Sequence, residues 1–202
     1  MMKEIALHLL DLAENSVSAN ANQIRIQVIE DLATDRLRLS LQDNGKGMTA
    51  EMVQQVCDPF FTSRTTRKVG LGIPLLKAAA QACNGDLSII SQPGNGTRID
   101  IDFQHSHIDR MPLGDLSDTV LSLIVAHPEV NWQLDYQAFG AKKDALGSFE
   151  FDDEPVKEIL DGVPLCEPEV LTYLRATLTE GIQNVQAQVT ANSSGINILG
   201  GM

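Results

Sequence analysis

Residues 37–48 read LRLSLQDNGKGM. Leu37, Leu39 and Leu41 alternate with polar residues, the period-two pattern of a strand with one buried face. The strand runs directly into Asp43-Asn44-Gly45-Lys46-Gly47-Met48, a turn. A carboxylate held at a strand end accepts a hydrogen bond from an exocyclic amine, and two nearby glycines let the backbone fold closely around a flat ring. Alone, the same stretch also reads as a hairpin or helix-entry turn. Its flanks carry the rest of the reading.

Upstream, Ile5, Leu9, Leu12 and Ser16/Val17 repeat with a helical period over residues 3–19. Ile24, Ile26 and Val28 then alternate as a first strand. Downstream, residues 50–57 form a short helix ended by Asp58-Pro59, and residues 61–72 are polar, basic and glycine-containing, a loop. Pro74 suits the first turn of a helix, continued by Leu75, Leu76, Ala79 and Ala80 until Asn84-Gly85 caps its end. Leu87 and Ile89, then Ile99, Ile101 and Phe103, give two strands joined by the tight turn PGNG at 93–96.

Past Phe103 the character changes. QHSHIDRMPLGD is polar and reads as a linker over 104–114. A helix follows at about 115–126, then a strand with Trp132, Leu134 and Tyr136 on one face and a partner strand at Phe149 and Phe151. Pro155 and Pro168 each open a helix, and the last helix carries the apolar stripe Leu171, Leu174, Leu178, Ile182 and Val185. Residues 190–202, rich in Asn, Ser and Gly, read as a flexible tail. The division is therefore 1–103, a linker 104–114, a small α/β extension 115–189 and the tail.

Composition narrows the function. The 202 residues are 43% hydrophobic and 21% charged, the mix of an ordinary globular protein. The net charge of −12 is lopsided: −2 over residues 1–103 and −10 over 104–202. A nucleic-acid platform needs clustered Lys and Arg, so no nucleic-acid partner is expected. Cys57, Cys83 and Cys166 have no metal-ligand spacing and read as reduced thiols. The first residues lack the features of a signal peptide, and no apolar run approaches the roughly 20 residues of a membrane span. A soluble cytoplasmic protein without a membrane partner is the expectation.

Four weak signals carry chemistry. Asp11 and Asn15 lie one turn apart on the first helix, with His8 on the same stripe. A neutral amide oxygen suits a hydrated Mg²⁺, and a carboxylate beside it can orient or deprotonate a nucleophile. The Asp43 turn is the second. Gly70-Leu71-Gly72 before a helix exposes backbone N–H groups to an anion, with Arg64, Arg67 and Lys68 just upstream. Gly94-Asn95-Gly96-Thr97 is the fourth.

Their order lifts them. Helix with D-x-x-x-N, strand, strand-DNGKG, DPFFTSR, basic loop, GLG-helix, strand and GNGT-strand resembles the GHKL superfamily of ATP-binding domains: gyrase, heat-shock chaperone, histidine kinase and MutL. ENSVSANANQIRI at 14–26 is similar to the MutL and gyrase side. DPFFTSR at 58–64, VGLGIPLLKAAAQACNGDLSIISQ at 69–92 and PGNGTRIDIDF at 93–103 resemble a histidine-kinase catalytic domain. The resemblance implies ATP and Mg²⁺ as ligands. It makes Asn15 the metal ligand, Asp43 the acceptor for the adenine amine, and Gly45, Gly47 and Thr97 the adenine pocket. Phe60 and Phe61 would pack beneath a lid, Arg64 and Lys68 would approach the phosphates, and Gly70, Leu71 and Gly72 would form the glycine box that lets the lid close.

Three departures stand out. Asp11 occupies the place of a water-activating Glu, one methylene longer, in gyrase and MutL relatives. The ATP domain begins at about residue 3, leaving no room before it for a phospho-accepting His domain. The lid, at 62–69, is short.

The resemblance implies a Bergerat-type two-layer α/β sandwich, a mixed sheet with helices on one face. Ile24, Ile26, Leu37, Leu39, Leu41, Leu87, Ile89, Ile99 and Ile101 are expected to face those helices. The functional expectation is a Mg-dependent phosphotransferase acting on a separate protein in signalling, with Asp11 as general base and the acidic extension choosing the partner. The alternative is a non-enzymatic or slowly hydrolysing ATP-dependent switch that binds a partner protein.

Overall fold

The computed structural model describes residues 3–57, 72–142 and 144–196, with side chains described to Asn192. In chain order the elements are α1 (Ile5–Ser18), β1 (Gln23–Asp31), β2 (Arg36–Asp43), α2 (Ala50–Cys57), α3 (Gly72–Ala82), β3 (Asp86–Ser91), β4 (Thr97–Gln104), α4 (Leu116–Ala126), β5 (Asn131–Phe139), β6 (Ala145–Asp152), α5 (Glu154–Leu160) and α6 (Pro168–Ile196). The described strands form one mixed sheet in the order β3-β4-β2-β1-β5-β6. Every pairing is antiparallel except β1 with β5.

The strand alternation sorts the two faces. Ile24, Ile26, Leu37, Leu39, Leu41, Leu87, Ile99 and Ile101 are buried, and Ile89 is partly buried against the same core. The apolar stripes of α1, α3, α4 and α6 cover this face, giving the two-layer α/β sandwich. The other face is polar and partly open. Arg25 donates to Gln133 and Gln27 to Asp135 across the β1–β5 seam. A groove of 420 Å³ lies on that face, far from the helix side, and its arginines are matched: Arg36 with Asp102, Arg98 with Asp100 and Arg38 with Asp31.

The second half does not stand apart as the sequence suggested. β5 and β6 extend the sheet of the first half, and Trp132, Leu134 and Tyr136 join one continuous core with Ile24, Ile26 and Val28. Residues 105–114 have no regular structure, yet they are docked rather than a loose linker. The α1 N–H groups of Ile5 and Ala6 donate to the carbonyls of Pro112 and Leu113 at 3.0 and 2.8 Å, satisfying donors that a helix start leaves open. Deeper in, the buried Glu30 carboxylate accepts from the Tyr136 hydroxyl and lies 2.6 Å from His105 Nε2. Burial pushes Glu30 upward, but those hydrogen bonds and the charges of His105 and Arg110 outweigh it and hold the carboxyl below its ordinary value. Finally, α6 runs to Ile196, so residues 190–196 are helical where composition had suggested a flexible tail. Among the described residues no helix is long and apolar enough to cross a membrane.

Because one core spans both halves, the chain should unfold as one unit. Trp132, the single tryptophan, reports the second half. Leu39→Ala in the first half should remove about 2–5 kcal/mol. In urea, the Trp132 fluorescence midpoint should fall together with that of far-ultraviolet circular dichroism. A fluorescence midpoint unmoved by Leu39→Ala would contradict the shared core.

Candidate functional site

Asp43 shares the parity of Leu37, Leu39 and Leu41, so the strand delivers its carboxylate to the helix side of the sheet, where it is 7% exposed. Its two oxygens are held from three directions. Oδ2 accepts from Ser16 Oγ of α1 at 2.6 Å. Oδ1 accepts from the backbone N–H of Gly45 at 2.8 Å and of Thr97, its register partner on β4, at 3.2 Å. An ionised carboxylate offers about four acceptor positions. One therefore stays open on Asp43, on the Oδ2 side.

The turn after Asp43 closes on the β3–β4 hairpin. Lys46 N–H donates to the Ala19 carbonyl, Gly94 N–H to the Lys46 carbonyl, and Met48 N–H to Ser91 Oγ. Ser91 Oγ also donates to the Gly96 carbonyl and lies 2.9 Å from Thr97 Oγ1. Gly47 and Gly96 both adopt left-handed backbone, at φ +64° and +79°. A Cβ on Gly47 would lie 2.0 Å from the Gln92 carbonyl oxygen, and one on Gly96 2.0 Å from that of Asp43. Two turns distant in sequence thus meet backbone to backbone, and only glycine permits it.

On α1 a graded stripe leads away from Asp43. Asn15 is exposed, Asp11 is half-buried and His8 is buried. Asn15 has no side-chain hydrogen bond among the described residues, leaving its amide oxygen available. The Asp11 carboxylate rests against the first residue of α3: a Cβ on Gly72 would sit 2.0 Å from Asp11 Oδ2. The helix start expected to receive an anion therefore has a carboxylate beside it. Burial pulls the His8 imidazole below its ordinary value, with Asp11 working in the opposite direction.

The structure thus brings Asp43, Gly45, Gly47 and Thr97 together in one cluster, with Asp11, Asn15 and Gly72 along the adjoining helices. Phe60, Phe61, Arg64, Lys68, Gly70 and Leu71 lie outside the described residues. Sequence reasoning missed Ser16 and Ser91. Ser16 carried a signal, since it is a polar residue at a buried position of an apolar stripe. A single neutral amide oxygen matches a Mg²⁺ ion that keeps most of its water and takes its other ligands from phosphates, and Asn15 fits that role. Among the described residues no cluster of three or more His, Cys, Asp or Glu could hold a metal alone.

Comparison with known proteins assigns the chain to a family. Residues 3–107 match the family model of histidine kinase-, DNA gyrase B- and HSP90-like ATPases, and the chain belongs to that family. Membership supports ATP binding. The sensor protein kinase FleS of Pseudomonas aeruginosa is 42% identical over 88 residues, covering 44% of this chain and 22% of that protein. The signal transduction histidine-protein kinase AtoS of Escherichia coli is 32% identical over 96 residues, covering 48% and 15%. The chain spans less than a quarter of the length of either relative. Among solved structures, the ATPase domain of Aquifex aeolicus MutL complexed with ADP aligns at a TM-score of 0.45 and 16% identity, covering 80% of this chain and 70% of that one.

Ser16→Ala should leave helicity unchanged, because Ala is the better helix former. It removes one of three donors from a buried carboxylate, so ATP affinity should fall roughly tenfold in calorimetric titration. Undiminished affinity would show that the Ser16 contact does not hold the site.

Proposed function

We propose that this domain binds Mg-ATP with the adenine amine on the open acceptor position of Asp43, and passes the γ-phosphoryl group to a separate protein. The observation that carries the reading is the Asp43 clamp: a buried carboxylate with three fixed donors and one unfilled position, on a wall built from glycine turns. Gly45, Gly47 and Thr97 shape the adenine side. Asn15 contributes its amide oxygen to Mg²⁺, which neutralises phosphate charge. The sequence supplies Arg64 and Lys68 as further cations, and the N–H groups at the start of α3 favour an anion there. Asp11, between Asn15 and Gly72, faces the place where the attacking group arrives and takes its proton. Phosphoryl transfer asks mainly for positioning and charge neutralisation, which this set provides.

The kinase-type reading is supported by the family and by relatives that are sensor kinases. The acidic second half, with its net charge of −10, suits a basic surface on the acceptor protein. Free cysteines suit a cytoplasmic setting.

The test combines calorimetry with transfer of label from γ-labelled ATP to proteins of the native cell. Wild type should bind ATP in Mg²⁺ and label a protein other than itself, and Asn15→Ala should lose both the Mg²⁺-dependent share of affinity and the labelling. Absence of ATP binding would overturn the assignment. Tight binding with neither transfer nor turnover would replace the phosphotransferase by the ATP-dependent switch.

A further inference from the structure

His8 is the buried titratable group that the reading above leaves without a task. Its side chain is 5% exposed, and its Nδ1 has no hydrogen-bond partner. A buried polar atom without a partner disfavours the fold, and a Phe or Leu at this position of an apolar stripe would fill the space without that cost. Native structures keep such groups where they serve a purpose other than stability.

The place of His8 suggests the purpose. It lies three residues before Asp11 on α1, on the same face of the helix and one turn deeper in the core. Asp11 itself lies against Gly72 on the other side, where a Cβ would come 2.0 Å from its Oδ2 and push the carboxylate aside. Among the described residues Asp11 is the charged group that bears on His8, raising the proton affinity that burial lowers. The stripe thus runs from an exposed amide at Asn15, through a carboxylate, to a neutral imidazole that water barely reaches.

The geometry points to His8 as the positioning residue for Asp11, the imidazole that shares the proton Asp11 removes from the attacking group. The inference rests on the reading of Asp11 given above. In the step it serves, the attacking oxygen of water or an acceptor side chain forms a bond to the γ-phosphorus. The bond from that phosphorus to the β–γ bridging oxygen breaks, and its electron pair leaves with ADP. The proton of the attacking group passes to the Asp11 carboxylate, and His8 Nδ1 accepts a hydrogen bond from the carboxylic acid so formed. A carboxylate one methylene shorter than Glu gains from a partner that stabilises its protonated form.

The test separates this role from a merely structural one, using the full chain with His8→Phe and His8→Asn. Phe fills the space without nitrogen, whereas the Asn side chain keeps an acceptor close to the place of Nδ1. His8→Phe should raise the melting temperature while lowering the rate of phosphate release or transfer at saturating Mg-ATP tenfold or more, with ATP affinity unchanged. His8→Asn should recover part of the rate. A second readout needs no nucleotide: in ¹⁵N-detected titration of the four histidines, the His8 midpoint should move further down in Asp11→Asn and the others should stay in place. Full activity of His8→Phe, or a His8 titration indifferent to Asp11→Asn, would overturn the inference. Loss of ATP binding by wild type would instead overturn the functional reading, whatever the histidine titration shows.

Discussion

The carboxylate of Asp43 ties together a helix, a glycine turn and a strand that come from distant parts of the chain. Ser16 reaches it from α1, Gly45 from the turn that follows it, and Thr97 from β4. Helix, glycine turn and neighbouring strand thus converge on two oxygens. Such a group would be costly to bury if fewer donors met it, because an ionised carboxylate out of water requires hydrogen bonds on both oxygens. Its three donors leave one acceptor position, and the proposed adenine contact uses that position.

That clamp depends in turn on a rigid floor. β2 lies between β1 and β4, and β1 is held on its other edge by β5, drawn from 108 residues away. The start of α1, which carries Asp11, Asn15 and Ser16, is fixed by the carbonyls of Pro112 and Leu113. The second half is therefore joined to the same sheet and the same helix that carry these polar residues. A partner engaging β5, β6 or α6 would press on the same framework.

Much of this was legible in the sequence, for identifiable reasons. Period-two alternation marked the strands of the first half because one face meets helices and the other is polar. Gly47 and Gly96 announced close turns because their backbone admits no side chain. Pro168 opens its helix as its missing N–H predicts. The parallel pairing of β1 with β5 was not legible, since alternation tells which residues face the core and not which distant strand lies beside them. Hence the second half read as a separate extension, and 104–114 read as a linker although its backbone carbonyls cap α1. Ser16 and Glu30 were visible only as polar residues at buried positions of otherwise apolar patterns. The direction of their partners became clear once the elements were packed. The Asn, Ser and Gly content past residue 190 suggested a tail, yet the helix continues to Ile196, which composition alone could not show.

The account stands on the open acceptor position of Asp43, and the most direct measurement asks whether a purine amine fills it. Inosine triphosphate carries a carbonyl where ATP carries the amine, so it presents an acceptor to an acceptor. Calorimetric titration of the wild-type chain should show ATP binding about 10- to 100-fold more tightly than inosine triphosphate, the range of one hydrogen bond to a charged group. In Asp43→Asn, whose amide can donate to a carbonyl, that preference should collapse. Equal affinity of the wild-type chain for the two nucleotides would contradict the account.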